Sequence, residues 1–168
     1  MSKIRAIVAV DSDWGIGKNN DMPWPRLNSD LQRFKELTEN SVVLMGKNTW
    51  LSLPKKPLPN RENVVVTSSL KDDFVIKTSS DPETIINKIQ SATEKPIWII
   101  GGRQIYEQFL PYCDSVYLTK INGDFQCDVH FPSDTLHTHF VLESKNDPII
   151  DNNTMIHYEI WRKNNAFN

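Results

Sequence analysis

An aspartate at position 30 falls where an amphipathic helix should be apolar. In PWPRLNSDLQRF (23–34) the prolines stiffen the approach, and the pattern predicts a helix starting near Asn28 or Ser29 and running to about Asn40. Leu27, Leu31 and Phe34 share one face of it, because residues three and four apart are neighbours on a helix. Asp30 lies three after Leu27 and four before Phe34, on that same face. Two readings stand at this point. Asp30 is either a first-turn carboxylate satisfied by the helix dipole or a cap bond, or a buried acid that grips a polar ligand, its pKa raised by burial. Phe34 one turn on and Trp24 in the preceding loop suit a flat heteroaromatic ligand, and equally suit a core.

A second kind of chemistry is written at two glycines. MGKNT (45–49) and IGGRQ (100–104) each end an apolar run in glycine and continue into a helical pattern. The N–H groups and positive dipole end of a helix receive anions, and glycine lets a phosphate approach the backbone. Lys47 and Arg103 add charge, so the pair points to a ligand with several phosphates; a single glycine would read only as a turn. GIGKNN (15–20) begins like a dinucleotide fingerprint, but Asn20 replaces its third glycine and MPWP follows instead of a helix. Ser41 stands where a phosphate loop ending in GKNT would need its first glycine, which argues against ATP-type chemistry.

The elements that would position these residues follow from apolar runs. RAIVAV (5–10), SVVLMG (41–46), NVVVTSS (63–69), PIWIIGG (96–102) and SVYLTKI (115–121) read as strands, with a weaker one around FVIK (74–77). KNTWLSL, DPETIINKIQSA (81–92) and RQIYEQFL (103–110) read as helices; Pro82 takes a first helical position, and Ile85, Ile86 and Ile89 share a face. FVLES (140–144) and MIHYEIWRK (155–163) read as an antiparallel pair joined by the polar loop KNDPIIDNN. The alternation predicts a single α/β domain over residues 1–168: a mixed, mostly parallel sheet with an antiparallel C-terminal edge and helices on both faces.

With 168 residues, 39% hydrophobic, and a formal charge of −2, the composition is that of one globular domain, and it disfavours nucleic acid or an anionic membrane as main partner. MSKIRAIVAV lacks the apolar core and cleavage site of a signal peptide, and no stretch approaches the length of a membrane span. Cys113 and Cys127 read as reduced thiols of a cytoplasmic protein. His137 and His139 alternate as if along a strand near Cys127 and His130, without the spacing of a metal site.

Five segments taken in order resemble the dihydrofolate reductase family: GIGKNNDMPWPRLNSDL, VVLMGKNTWLSLPKKPLPNR, IWIIGGRQIYEQFLP, VYLTKI and CDVHFP. The resemblance implies a sheet of about eight strands and NADPH-dependent reduction of 7,8-dihydrofolate to tetrahydrofolate, in support of one-carbon and thymidylate metabolism. It further implies a monomer that binds antifolate inhibitors in the substrate site. By motif, Asp30 would hold the pterin amino group and ring nitrogen, Thr119 would bond to Asp30, Trp24 would hold a water, and Met22 would belong to a loop closing over the nicotinamide. Ile7, Val8, Ala9, Leu31, Phe34, Leu53 and Ile100 would line the substrate pocket, and Arg61 would clamp the glutamate α-carboxylate. The cofactor would meet Ala9, Ile16, Ile100 and Ile105. Its phosphates would meet Gly46, Lys47, Asn48 and Thr49 on one turn and Gly101, Gly102, Arg103 and Gln104 on the other, where the family has a cis peptide between the glycines. Tyr106 would stand by the nicotinamide, and Thr67 and Ser68 with Lys47 would receive the 2′-phosphate. Arg103, where many relatives carry a small residue, and the bulky Trp14 depart from the pattern, and segment 70–95 matches poorly.

Overall fold

Ala6, Val8 and Val10 of the first strand face one side of a sheet, Ile7 and Ala9 the other, and helices cover both sides. The computed structural model describes residues 3–67, 76–78 and 81–165. In chain order the elements are β1 (Ile4–Val10), β2 (Gly15–Gly17), α1 (Asn28–Thr38), β3 (Val42–Gly46), α2 (Lys47–Ser52), β4 (Glu62–Val66), β5 (Ile76–Thr78), α3 (Pro82–Ala92), β6 (Ile97–Gly101) and α4 (Arg103–Phe109). A 3₁₀ turn at Leu110–Tyr112 leads to β7 (Ser115–Ile121), β8 (Val129–His130), α5 (Ser133–His139), β9 (Phe140–Lys145), β10 (Ile149–Asp151) and β11 (Thr154–Lys163).

The main sheet runs β10-β11-β7-β1-β6-β3-β4-β5, with β9 beside β10 on the outer edge of β11, so nine strands fill eight positions. β7, β1, β6, β3, β4 and β5 are parallel, and β11 joins β7 antiparallel. This is the mixed, mostly parallel α/β domain expected. The central strands are unbroken apolar runs because both of their faces are buried. Ile85 and Ile86 of α3, Ile105, Tyr106 and Phe109 of α4, and Leu136 of α5 cover one face. Phe34 and Leu37 of α1 and Trp50 of α2 cover the other. No helix among the described residues is long and apolar enough to cross a membrane.

The chain leaves β3 toward β4 through α2 on one face, and leaves β6 toward β7 through α4 on the other. β3 and β6 are neighbours, so a crevice opens at their C-terminal ends, the place where open α/β sheets bind ligands.

Three expectations are corrected. His137 and His139 lie on helix α5, not on a strand: Pro132 precedes its first turn, and Leu136 anchors it in the core. The loop KNDPIIDNN contains β10, which forms a hairpin with β11. Asn152 and Asn153 both take positive φ there, as a tight two-residue hairpin turn requires. The third apolar run ends as a strand at Val66, and Ser68 and Ser69 lie outside the described residues, as do Phe74 and Val75 of the weaker strand.

Candidate active site

α1 runs across the sheet face formed by Ile7 and Ala9 of β1 and Tyr117, Thr119 and Ile121 of β7. Ala9 and Thr119 are paired in register, and Thr119, only 2% exposed, donates its hydroxyl to Asp30 Oδ1 at 2.7 Å. Burial raises the Asp30 carboxyl above its ordinary range; the Thr119 bond and the Arg33 charge oppose this, and the Asp151 charge adds to it. An acid so placed holds its proton more readily than a surface carboxylate and keeps an acceptor oxygen for a ligand. Arg33 lies 4.1 Å above the Tyr158 ring, held by a cation–π contact.

Toward the C-terminal end of α1 the lining becomes apolar. Phe34, Leu53 and Ile100 pack as half-buried residues against a cluster that includes Ile7, Trp50 and Trp98. Leu31 is more exposed. The Val8 side chain belongs to the opposite core with α3 and α4, so only its backbone faces this side. Arg61 is fastened at the far end: Nε donates to the Pro59 carbonyl at 2.8 Å, and a terminal nitrogen donates to Thr38 Oγ1 at 3.1 Å. Its guanidinium lies 5.9 Å from the Phe34 ring centroid. Asp30, Phe34 and Thr38 stand at i, i+4 and i+8, so acid, aromatic ring and guanidinium follow one helix face over about 12 Å.

The two glycine turns meet at the crevice between β3 and β6. A Cβ on Gly46 would lie 3.0 Å from Ile105 Cγ1, and one on Gly102 would lie 3.7 Å from Thr49 Oγ1. Gly101 has φ +115°, and the Gly101–Gly102 peptide is cis. A side chain at Gly101 would also press on the Tyr106 ring at 3.2 Å, so only glycine fits. α2 begins at Lys47 and α4 at Arg103, which aims two sets of helix N–H groups into one place. Asn48 and Gln104 are exposed there. The Arg103 guanidinium is committed to Glu107 at 2.6 Å and to the His130 carbonyl at 3.0 Å, which leaves its backbone facing the turn. Tyr106 is buried, donates to the Ile7 carbonyl at 2.8 Å, and has its phenol pKa pushed far up by burial. Thr67 follows β4 directly beside Lys47, because Gly46 and Val66 are register partners; Ser68 lies outside the described residues.

The segment between β1 and α1 is tied down by a residue that sequence reasoning missed. Asp11, 0% exposed, accepts from the N–H groups of Gly15, Asp13 and Phe125 at 2.8, 2.9 and 3.0 Å. Burial pushes its carboxyl up, but the bonds from Phe125, Gly15, Asp13 and the Cys127 thiol together hold it below the usual range. β2 pairs with β8, which carries Ile16 against the α4-side core, and Asn19 N–H reaches Asp128 at 3.1 Å. Trp14 stacks on Phe131 and receives the Lys120 ammonium 3.8 Å from its ring centroid. Trp24 is buried edge-on to Phe125, with Leu27, Ile121 and Ile156 around it. Met22, 51% exposed, sits at the outer end of the loop.

The family model described as dihydrofolate reductase matches residues 3–164. The chain belongs to the dihydrofolate reductase family. It is similar to the dihydrofolate reductase of Bacillus subtilis, 41% identical over 129 residues that cover 77% of this chain and 75% of that protein. The dihydrofolate reductase of Buchnera aphidicola is 38% identical over 138 residues, 82% of this chain and 83% of the relative. That of Mus musculus is 34% identical over 146 residues, 77% and 78%. Members of the family use a nicotinamide cofactor.

Proposed function

We propose that the chain reduces 7,8-dihydrofolate to 5,6,7,8-tetrahydrofolate with NADPH as reductant, and so supplies carriers for one-carbon and thymidylate chemistry. The observation that carries this reading is the linear order along α1: a half-buried acid bonded to Thr119, an apolar stretch through Phe34, then Arg61. A folate has the same order, a polar heterocycle, an aromatic spacer and a carboxylate. Asp30 accepts from the pterin amino group and ring nitrogen, and Thr119 fixes the carboxylate so that both bonds are aligned. Ile7, Ala9, Leu31, Phe34, Leu53 and Ile100 hold the rings flat against the sheet face. Arg61 pairs with the glutamate α-carboxylate, a geometry suited to the guanidinium fork.

The cofactor site fits a dinucleotide phosphate. Gly46 with Lys47, Asn48 and Thr49, and Gly101 and Gly102 with the backbones of Arg103 and Gln104, present N–H donors to the pyrophosphate. Lys47 and Thr67, on paired strand ends, favour a 2′-phosphate over a bare ribose. Ala9, Ile16, Ile100, Ile105 and Tyr106 form the inner wall. When bound, NADPH supplies a hydride to the carbon of the pterin C=N bond. The ring nitrogen takes its proton from water reaching it past Met22 and Trp24, while Asp30 polarises the ring. Antifolates that present an amino-substituted ring bind on the same acid. The two free cysteines support a reducing cytoplasmic setting, and we read the chain as a monomer.

Mixing the protein with NADPH and dihydrofolate should lower absorbance at the nicotinamide band in proportion to dihydrofolate added. Cofactor binding without dihydrofolate-dependent oxidation would instead mark a nucleotide-binding module and refute the proposal.

A further inference from the structure

α1 begins without a cap of its own. Leu27 takes the extended N-cap conformation and offers no side-chain bond, so the first N–H groups need partners from elsewhere. They find one across 122 positions of chain: Asp151 Oδ2 accepts from Ser29 N–H at 2.8 Å and from Ser29 Oγ at 2.5 Å. Next to it, Asn152 Nδ2 donates to the Arg26 carbonyl at 3.0 Å. Both residues belong to the end of the β10–β11 hairpin. β11 in turn pairs with β7, where Tyr158 is the register partner of Thr119. Thus the helix carrying Asp30 and the strand carrying its hydrogen-bond donor are joined by a second, independent route.

We infer that Asp151 is a positioning residue for the dihydrofolate site, capping α1 from the hairpin and thereby setting where the Asp30 carboxylate meets Thr119. This rests on the reading of Asp30 as the acid that grips the pterin. The charged and titratable groups facing Asp30 are Arg33 on α1, Tyr158 on β11 and Asp151 on β10, with Thr119 of β7 as its donor. Only Asp151 adds negative charge among them. The Ser29 bonds hold the Asp151 carboxyl below its usual range, so it stays ionised at neutral pH. Its charge therefore favours the protonated form of Asp30, and its hydrogen bonds fix the helix.

Substitution separates the two effects. Asp151→Asn keeps an acceptor for Ser29 and removes the charge. It should leave KM for dihydrofolate within about twofold of the parent, while the midpoint of the pH–rate profile moves to lower pH. Asp151→Ala removes both and should raise KM about fivefold, the scale of a lost helix cap. NADPH affinity, measured by fluorescence titration, should stay unchanged in both. An unchanged KM for dihydrofolate in Asp151→Ala overturns the inference, as does equal weakening of both ligands there. If Asp151→Ala does not fold, Ser29→Ala, which removes the hydroxyl bond to Asp151, decides through the same comparison of KM with NADPH affinity. Asp30→Asn is assayed alongside: full activity there refutes the reading of Asp30 itself, whereas a crippled Asp30→Asn beside unperturbed Asp151 variants refutes only the positioning role.

Discussion

Replacing Asp30 by Asn tests activity and stability with one substitution, and the two should move in opposite directions. Asn keeps the volume and still accepts from Thr119, whose 2.7 Å bond to Asp30 holds the side chain in place. What disappears is the charge that polarises the pterin. Turnover at pH 7 should fall by about a hundredfold, the lower end of acid–base assistance, which corresponds to about 2.7 kcal/mol in the barrier. The fold should gain. Burial raises the Asp30 carboxyl in the native state above its ordinary value, so at a pH between the two values the native protein holds a proton the unfolded chain has released. The Asp30 contribution is therefore intact below about pH 3.8 and declines as pH rises through the raised native pKa. Removing the carboxylate relieves that cost at neutral pH, and each 1 kcal/mol recovered should raise Tm by roughly 2–4 °C. The assays are a pH–rate profile and thermal melts of the ligand-free protein between pH 4 and 8. Normal turnover at pH 7, or a Tm lowered at pH 7, would show that Asp30 serves the fold and not the substrate.

Arg61→Leu should weaken dihydrofolate by roughly 10- to 100-fold, the worth of a charged hydrogen bond, while a pterin without the glutamate tail binds as before; titration of both ligands decides. Lys47→Ala should narrow the preference for NADPH over NADH, and equal affinities in the parent would already dismiss the 2′-phosphate assignment. Asp11→Ala leaves the N–H groups of Gly15 and Phe125 without their acceptor and should destabilise the fold by about 1–3 kcal/mol in a denaturant melt. Because its native pKa is lowered, the stability Asp11 contributes is present above about pH 3.8 and lost as pH falls through the native value, so parent and variant should converge in acid.

What the sequence disclosed follows the range of the interactions involved. β1, β3 and β6 were legible because strands buried on both faces read as apolar runs. Asp30 was legible because it interrupts a helical face. Thr119 carries no such mark within SVYLTKI; only resemblance to the family singled it out. β10 and α5 were hidden for a different reason: Ile149 and Ile150 are exposed, and the histidines of α5 mimic strand alternation. Asp151 was invisible because the group that needs it lies 122 residues away in the chain, and the bond by which Asp11 ties its loop to Phe125 spans 114 residues. The Arg103 side chain, read as a cation for the pyrophosphate, pairs with Glu107 one turn on, a contact the reading did not include.

The alignment of Asp30, Phe34 and Thr38 on α1 has a consequence for how this protein can diverge. A helix is a rigid ruler: deleting one residue between positions 30 and 38 shortens the span by about 1.5 Å and rotates everything beyond it by about 100°. Thr38, and Arg61 bonded to it, would swing off the face that Asp30 defines. Point substitution can retune each end of the pocket separately, but a change of length within α1 unsettles both ends together. Insertions and deletions in descendants of this chain should therefore accumulate before Asn28 and after Thr38, with the eight steps from Asp30 to Thr38 inherited as one indivisible unit.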